Sequence, residues 1–408
     1  MNYNPLLLII VLLVLILSCS NRGAHNSMFT AEEIHALQLN HTQTLKVDSS
    51  VITNIDLNSF LNNNKFDFES LIKNIQIIPL ETTSESLLGN IYKVILTDSL
   101  SYIFDDFKGG GIVIFDRSGK FIKRIPHGEG PGELFNLYDV AYDDVNKQLV
   151  AYQHPFLMFF TVDGKFIEQR KVPFGFYNFM ITPGGYIFKT LDGYGNEHLD
   201  SHQNKTLLVT NKEFELKYAG LPVFHINANY GGYCYLYANN NNIRITQNYG
   251  DTIYRYDVQR EHLEALYVID YHEKKLPTEL LEYQGREFRN KLQRNDYYYF
   301  IGEYLETYTH HAFYLRNDYR GTQTIVYRNK KTGHLIGGAE ACFDLTEIPS
   351  IAFPKSVFKN SFISVYYPNE NMRLLDNSSV LSSKDKQIVM NLKEDDNPVL
   401  ILFQLKDF

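Results

Sequence analysis

Polar and apolar positions alternate over short stretches through most of the chain, and one such stretch repeats. Phe115-Asp116-Arg117-Ser118-Gly119-Lys120-Phe121-Ile122 returns 45 residues later as Phe160-Thr161-Val162-Asp163-Gly164-Lys165-Phe166-Ile167. Each copy is the end of a strand, a turn whose glycine suits a positive φ, and a return strand that opens on Lys-Phe-Ile. A period of about 40 to 50 residues made of such hairpins is the mark of propeller blades. Four strands are expected at Ile91–Leu96, Ser101–Phe104, Ile112–Phe115 and Lys120–Ile125, each bounded by Asp, Gly or Ser. A second set is expected at Tyr138–Tyr142, Gln148–Tyr152, Phe156–Phe160 and Lys165–Val172. Later copies decay: Tyr186–Lys189 and Leu207–Lys217 point to a third blade, Thr252–Asp257 to the third strand of a fourth, and Val326–Leu335 to a hairpin in a late blade.

One stretch breaks the strand pattern. Pro277 suits a first helical turn, and Leu281, Phe288 and Leu292 fall seven and four apart on one helical face, so a short inserted helix is expected near residues 276–292. The strand-like ends Ile75–Leu80 and Val399–Leu405 are expected to share one blade, because a ring of blades leaves no open edge when its last blade borrows a strand from the other end of the chain.

The first residues follow a different rule. Leu6 to Leu17 is an unbroken apolar run of twelve residues, ending at Ser18-Cys19-Ser20. A spanning helix needs about 20 residues, so the run fits the core of a signal peptide instead. Ile16-Leu17-Ser18-Cys19 resembles the lipobox of bacterial lipoproteins, whose cysteine thiol takes a diacylglycerol. Thiolate chemistry suits that step, and because each buried methylene adds about 0.8 kcal/mol, two or three acyl chains anchor stably where one does not. The expected organisation is a lipoprotein signal peptide at 1–18, a lipidated tether and lead-in segment at 19–74, and a propeller at 75–408. The lead-in is rich in Asn and Ser, with helical pattern only from Glu32 to Leu39. Two departures stand out: no Lys or Arg precedes Leu6, and no acidic run follows Cys19, which leaves the side of the membrane open.

Composition narrows the functional classes. Hydrophobic residues make up 44% and charged residues 21% of the 408, enough for a sizeable core. A net charge of −8 leaves no cationic surplus for a phosphate backbone, so no nucleic-acid partner is expected. Thirty Tyr and 28 Phe suit pleated surfaces. Beyond Cys19, only Cys234 and Cys342 remain, and they read as buried thiols rather than as a bridge.

With these residues in hand, the chain resembles the six-bladed β-propeller lipoproteins of Bacteroidetes, relatives of the NHL-repeat propellers. Four features carry the likeness: the lipobox, the strand Ile78-Pro79-Leu80-Glu81-Thr82, the segment His127-Gly128-Glu129-Gly130-Pro131-Gly132-Glu133, and the closing Leu392-Lys393-Glu394-Asp395-Asp396-Asn397-Pro398-Val399-Leu400. The resemblance implies an all-β fold of six four-stranded antiparallel blades, held at the cell envelope and most simply at the outer membrane.

Candidate chemistry is sparse. Gly128, Gly130, Pro131, Gly132 and Glu133 superficially match a phosphate-cradling loop but lack the following Lys-Ser/Thr, so a tight turn with Glu133 accepting backbone hydrogen bonds is favoured. His127 and Glu129 have no evident turn duty and are candidate ligand contacts. Tyr297 and Tyr298, in the aromatic run Asp296–Phe300, are candidates for a sugar-stacking surface, with core packing the plainer reading. His310 and His311 are adjacent on a strand and point to opposite faces, so they are not a chelating pair. No protein metal site and no cofactor are expected, although a Ca²⁺ held by loop carbonyls and carboxylates in the central channel is compatible with the sequence. No catalytic residue is identified. The expected function is a lipid-anchored, non-catalytic binding or scaffold protein for a glycan, a peptide or an envelope partner. The alternative is a hydrolase or lyase acting at the mouth of the central channel.

Overall fold

The computed structural model describes residues 28–58, 60–61, 65–105, 111–190, 195–222, 236–239, 242–342, 349–368 and 379–408. The signal segment, Cys19 and Cys234 lie outside these residues.

The strands form six antiparallel blades of four strands each. Blade 1 is Ile91–Leu96, Leu100–Asp105, Gly111–Asp116 and Phe121–Ile125, and blade 2 is Asp139–Asp143, Gln148–Gln153, Phe156–Thr161 and Phe166–Lys171. Blade 3 is Asn178–Thr182, Gly185–Lys189, Lys205–Asn211 and Leu216–Pro222, and blade 4 is Leu236–Asn239, Asn242–Ile245, Thr252–Asp257 and His262–Asp270. Blade 5 is Tyr299–Glu306, His310–Asn317, Thr322–Asn329 and Leu335–Gly338. In these five the chain runs outward from the innermost strand. The innermost strands of successive blades touch one another all the way round, including the last against the first. The six-bladed, all-β expectation therefore holds.

Blade 6 closes the ring. Its strands are Ser356–Phe358, Ser361–Tyr366, Val399–Leu405 and, outermost, the N-terminal Ile72–Pro79. The register pairs Val399 with Pro79 and Ile401 with Ile77, so the two ends of the chain complete one sheet as expected. Asn397 fastens the seam. Its side chain accepts from the Leu88 amide at 2.8 Å and donates to the carbonyls of Glu81 and Ser86, while its own amide donates to the Thr82 hydroxyl.

The repeated turn has two duties. Gly119 has φ +88° and Gly164 φ +76°, a region costly for side chains with a Cβ. Both turns also pack against the preceding blade: a Cβ at Gly119 would lie 1.9 Å from the Pro79 carbonyl oxygen, and one at Gly164 would lie 2.9 Å from Ile114 Cδ1.

The segment before the propeller differs from a free tether from residue 28 onward. Thr30 and Glu33 form a capping box for the helix Ala31–Ala36. Gln43–Thr44 then adds parallel to the outer strand of blade 3, and Val47–Asp48 and Thr53–Asp56 add parallel to that of blade 4. Lys65–Asp67 pairs with Glu340–Cys342 beyond blade 5. The belt buries Leu37, Leu45, Ile55, Leu57, Phe60, Phe66 and Phe68. It approaches closely at Gly220, where a Cβ would meet Leu45 Cβ at 2.7 Å. These contacts cover sheet edges that would otherwise offer free N–H and C=O groups.

The inserted helix lies at Gly285–Arg294, after a 3₁₀ turn at Thr278–Glu282. Phe288 and Leu292 are buried against blade 5, and Leu281 packs at the edge of the same cluster.

Candidate functional site

The innermost strand of blade 6 has three residues, against eight in blade 5 and six in blade 1. Phe353-Pro354-Lys355 leads directly into this short strand. Beside it lies a cavity of about 230 Å³, lined by Tyr92 of blade 1, by Glu303, Leu305, Tyr314 and Gln323 of blade 5, and by that lead-in.

Tyr92 is the blade 1 wall of this cavity. Its hydroxyl lies 3.0 Å from that of Tyr177, at the start of blade 3, so two rings meet across the beginning of blade 2. The adjacent Lys93 pairs with the buried Asp139 at 2.7 Å, and Asp139 also accepts from the Phe179 amide. Asp105 accepts from the amides of Gly89 and Asn90, and Lys355 donates to the Ile91 carbonyl at 3.0 Å. In blade 3, burial pushes the Lys189 ammonium down to about 7, next to its cross-strand neighbour Asn178. The site can thus present the half-buried Tyr92 ring, with its hydroxyl paired to that of Tyr177, to a ligand; the Tyr314 hydroxyl is spent on the Pro354 carbonyl, and Lys93, Asp139, Asp105 and Lys355 bind one another or the backbone.

The residues singled out in the sequence lie elsewhere. His127 and Glu129 are exposed on the loop from blade 1 to blade 2, with the His127 ring 5.6 Å from that of Phe135. In the same loop Glu133 accepts from the Gly130 amide at 2.9 Å and folds over Gly128, where a Cβ would lie 2.0 Å from its carboxylate. Gly132 has φ +78° and packs against Phe166; Pro131 is exposed beside it. Tyr297 and Tyr298 sit just before the innermost strand of blade 5, across the ring from that loop. Tyr298 is buried and donates to the Leu61 carbonyl, and Tyr297 is half-buried against the same core. The structure therefore does not bring the two pairs together. Sequence reasoning missed Tyr92, Glu303 and Lys355, whose one shared signal is a place on, or next to, an innermost strand.

Among the described residues no group of three His, Cys, Asp or Glu side chains could hold a metal ion. His310 and His311 face different surroundings, the one against Phe408 and the other against Tyr267. Among the described residues no helix is long and apolar enough to cross a membrane.

Comparison with known proteins agrees with this architecture. The structure is similar to that of a Bacteroides fragilis protein described as exported, with a TM-score of 0.69 and 17% identity over 87% of this chain and 100% of that one. A DUF4221 family member from Bacteroides vulgatus gives a TM-score of 0.48 at 13% identity, covering 82% of this chain and 97% of that one. None of the curated proteins matches. The profile of a domain of unknown function, DUF4934, matches residues 52–404, from the belt on blade 4 to the closing strand, and the chain belongs to the DUF4934 family.

Proposed function

We propose that this protein is a lipid-anchored propeller of the cell envelope, relative of the NHL-repeat propellers, that binds a glycan, a peptide or an envelope partner at the channel mouth without transforming it. One observation carries the binding part: the cavity beside the short innermost strand of blade 6 is walled by Tyr92 and Tyr314, while Asp139, Asp105 and Lys355 are engaged in structural hydrogen bonds. Aromatic faces with a polar tip suit a ligand that is part apolar and part hydroxylated or amide-bearing. Support for export comes from the Leu6–Leu17 run and from the Bacteroides fragilis neighbour described as exported. Support for lipidation is the Ile16-Leu17-Ser18-Cys19 motif, and it favours the outer membrane only through the Bacteroidetes resemblance.

Two measurements test this reading. Membrane fractionation should find the wild-type chain with lipid and Cys19→Ala in the soluble fraction; retention of the variant in the membrane overturns the anchor. A panel of glycans and peptides offered to the full chain in detergent should yield a ligand recovered chemically intact. Recovery of cleaved or eliminated products would make the protein a hydrolase or lyase.

A further inference from the structure

The interface between blades 4 and 5 holds an imbalance of charge. Glu306, at the end of the innermost strand of blade 5, is buried and accepts from Arg244 Nε at 2.7 Å and Nη2 at 3.1 Å, from Lys330 Nζ at 2.5 Å and from the Tyr304 hydroxyl. One carboxylate thus answers two cations. A third, Arg328, is only 9% exposed and has no hydrogen-bonding or ion-pairing partner among the described residues. Its guanidinium lies 5.3 Å from the centroid of the Tyr267 ring. A ring face recovers part of the hydration lost on burial, but it leaves the five N–H donors unused.

Those donors border a cavity of about 490 Å³ on the outer rim, where the belt crosses from blade 4 toward blade 5. Its walls are Ile55, Phe60 and Leu335, with Asn54, Asp56, Gly333 and His334 at the margin. Asp56 is committed elsewhere, accepting from His272 Nε2 at 2.7 Å and from the Asn58 amide at 2.8 Å. Asn54 donates to Asp270. Gly333, at φ +77°, turns the chain beside the guanidinium, where a Cβ would lie in ordinary contact, 3.4 Å from Arg328 Nη2.

The geometry points to a carboxylate-binding site on this rim: a ligand carboxylate takes the planar fork of Arg328, and an apolar body rests on Ile55, Phe60 and Leu335. The fork matches two carboxylate oxygens in one plane, and burial makes the charged hydrogen bonds strong. The apolar walls select an organic acid over a bare inorganic anion. The site is separate from the channel mouth and does not depend on the role assigned there.

Fluorine NMR of 4-fluorobenzoate with the full chain in detergent reads this site directly. The line should broaden saturably, and unlabelled benzoate should reverse the broadening, with inorganic phosphate competing far less well. Arg328→Gln should bind at least about tenfold more weakly, the loss of a charged bidentate pair. His334→Glu, at the exposed margin, should weaken binding too, and Asp56→Asn should strengthen it by removing a repulsive carboxylate. Equal broadening with Arg328→Gln or with His334→Glu would overturn the site. Phosphate competing as well as benzoate would overturn its ligand class.

Discussion

Single residues make the seams and set the acid response. Asn397 is buried and satisfies Leu88, Glu81 and Ser86 at once, so Asn397→Ala strands the buried Leu88 amide and Ser86 carbonyl, while the Glu81 carbonyl keeps the Ser86 hydroxyl. Urea unfolding should show a loss of about 3 kcal/mol, within the range for unsatisfied buried groups. The Asp395-Asp396-Asn397-Pro398 sequence was visible as a family feature, but its role was not, because the partners lie some 310 positions away in the chain. His311 makes a different prediction. It is fully buried between the Tyr267 and Tyr304 rings, and burial, with Arg328, Lys330 and Arg244 adding to it, pushes its imidazole down to about 3 despite Glu306. The unfolded chain binds this proton near pH 6.5 and the folded chain does not, so the His311 contribution to stability is intact above about pH 6.5 and is lost as pH falls toward 3. His310 and His154 are also lowered by burial and act in the same direction. Subtracting the profile of His311→Leu isolates this residue: the variant should lose less stability than wild type between pH 6 and 4. Parallel profiles would contradict the assignment. For Glu306, burial raises the carboxyl, yet Arg244 and Lys330 outweigh it and hold it at about 2. Its contribution is therefore present above about pH 4.3 and fades as pH falls toward 2.

At the scale of elements, the lead-in segment is the largest departure from what the sequence offered. Its strands are two to four residues long, and Leu37, Leu45, Ile55, Leu57 and Phe60 are spaced without a strand or helix period. Pattern reading needs a longer run, so the stretch resembled a tether. The blades were legible where hairpins repeated, in blades 1 and 2, and faint in blade 3, where Glu197–His202 intervenes between its second and third strands, and in blade 4, whose first two strands have four residues each. The inserted helix was legible because Phe288 and Leu292 keep their helical spacing. Removal of residues 28–57 should leave blade 6 closed through Ile72–Pro79 but uncover the outer strands of blades 3 and 4. The expected result is a lower melting temperature with concentration-dependent association in sedimentation. An unchanged monomer with an unchanged transition would show that the belt does not protect these edges.

For the molecule as a whole, closure and function are one problem. Deleting residues 398–408 removes the third strand of blade 6 and leaves Ile72–Pro79 without its partner, so the cooperative transition should disappear in calorimetry. A full transition in the truncated chain would contradict closure by shared strands. The closing pair was legible because both ends are strand-like runs, apolar but for Gln76 in one and Gln404 in the other. The channel mouth was not, because Tyr92, Glu303 and Lys355 come from three blades and converge only once the ring is shut. The loop at His127–Glu133 drew attention by composition, yet Glu133 turns inward on its own glycines. The most direct measurement is a titration of the ligand recovered from the glycan and peptide panel against wild type and Tyr92→Phe, which keeps the ring and removes the hydroxyl that meets Tyr177. The account predicts weaker binding by the variant at an unchanged melting temperature, with the ligand intact in both; equal affinity, or a ligand returned cleaved, would contradict it.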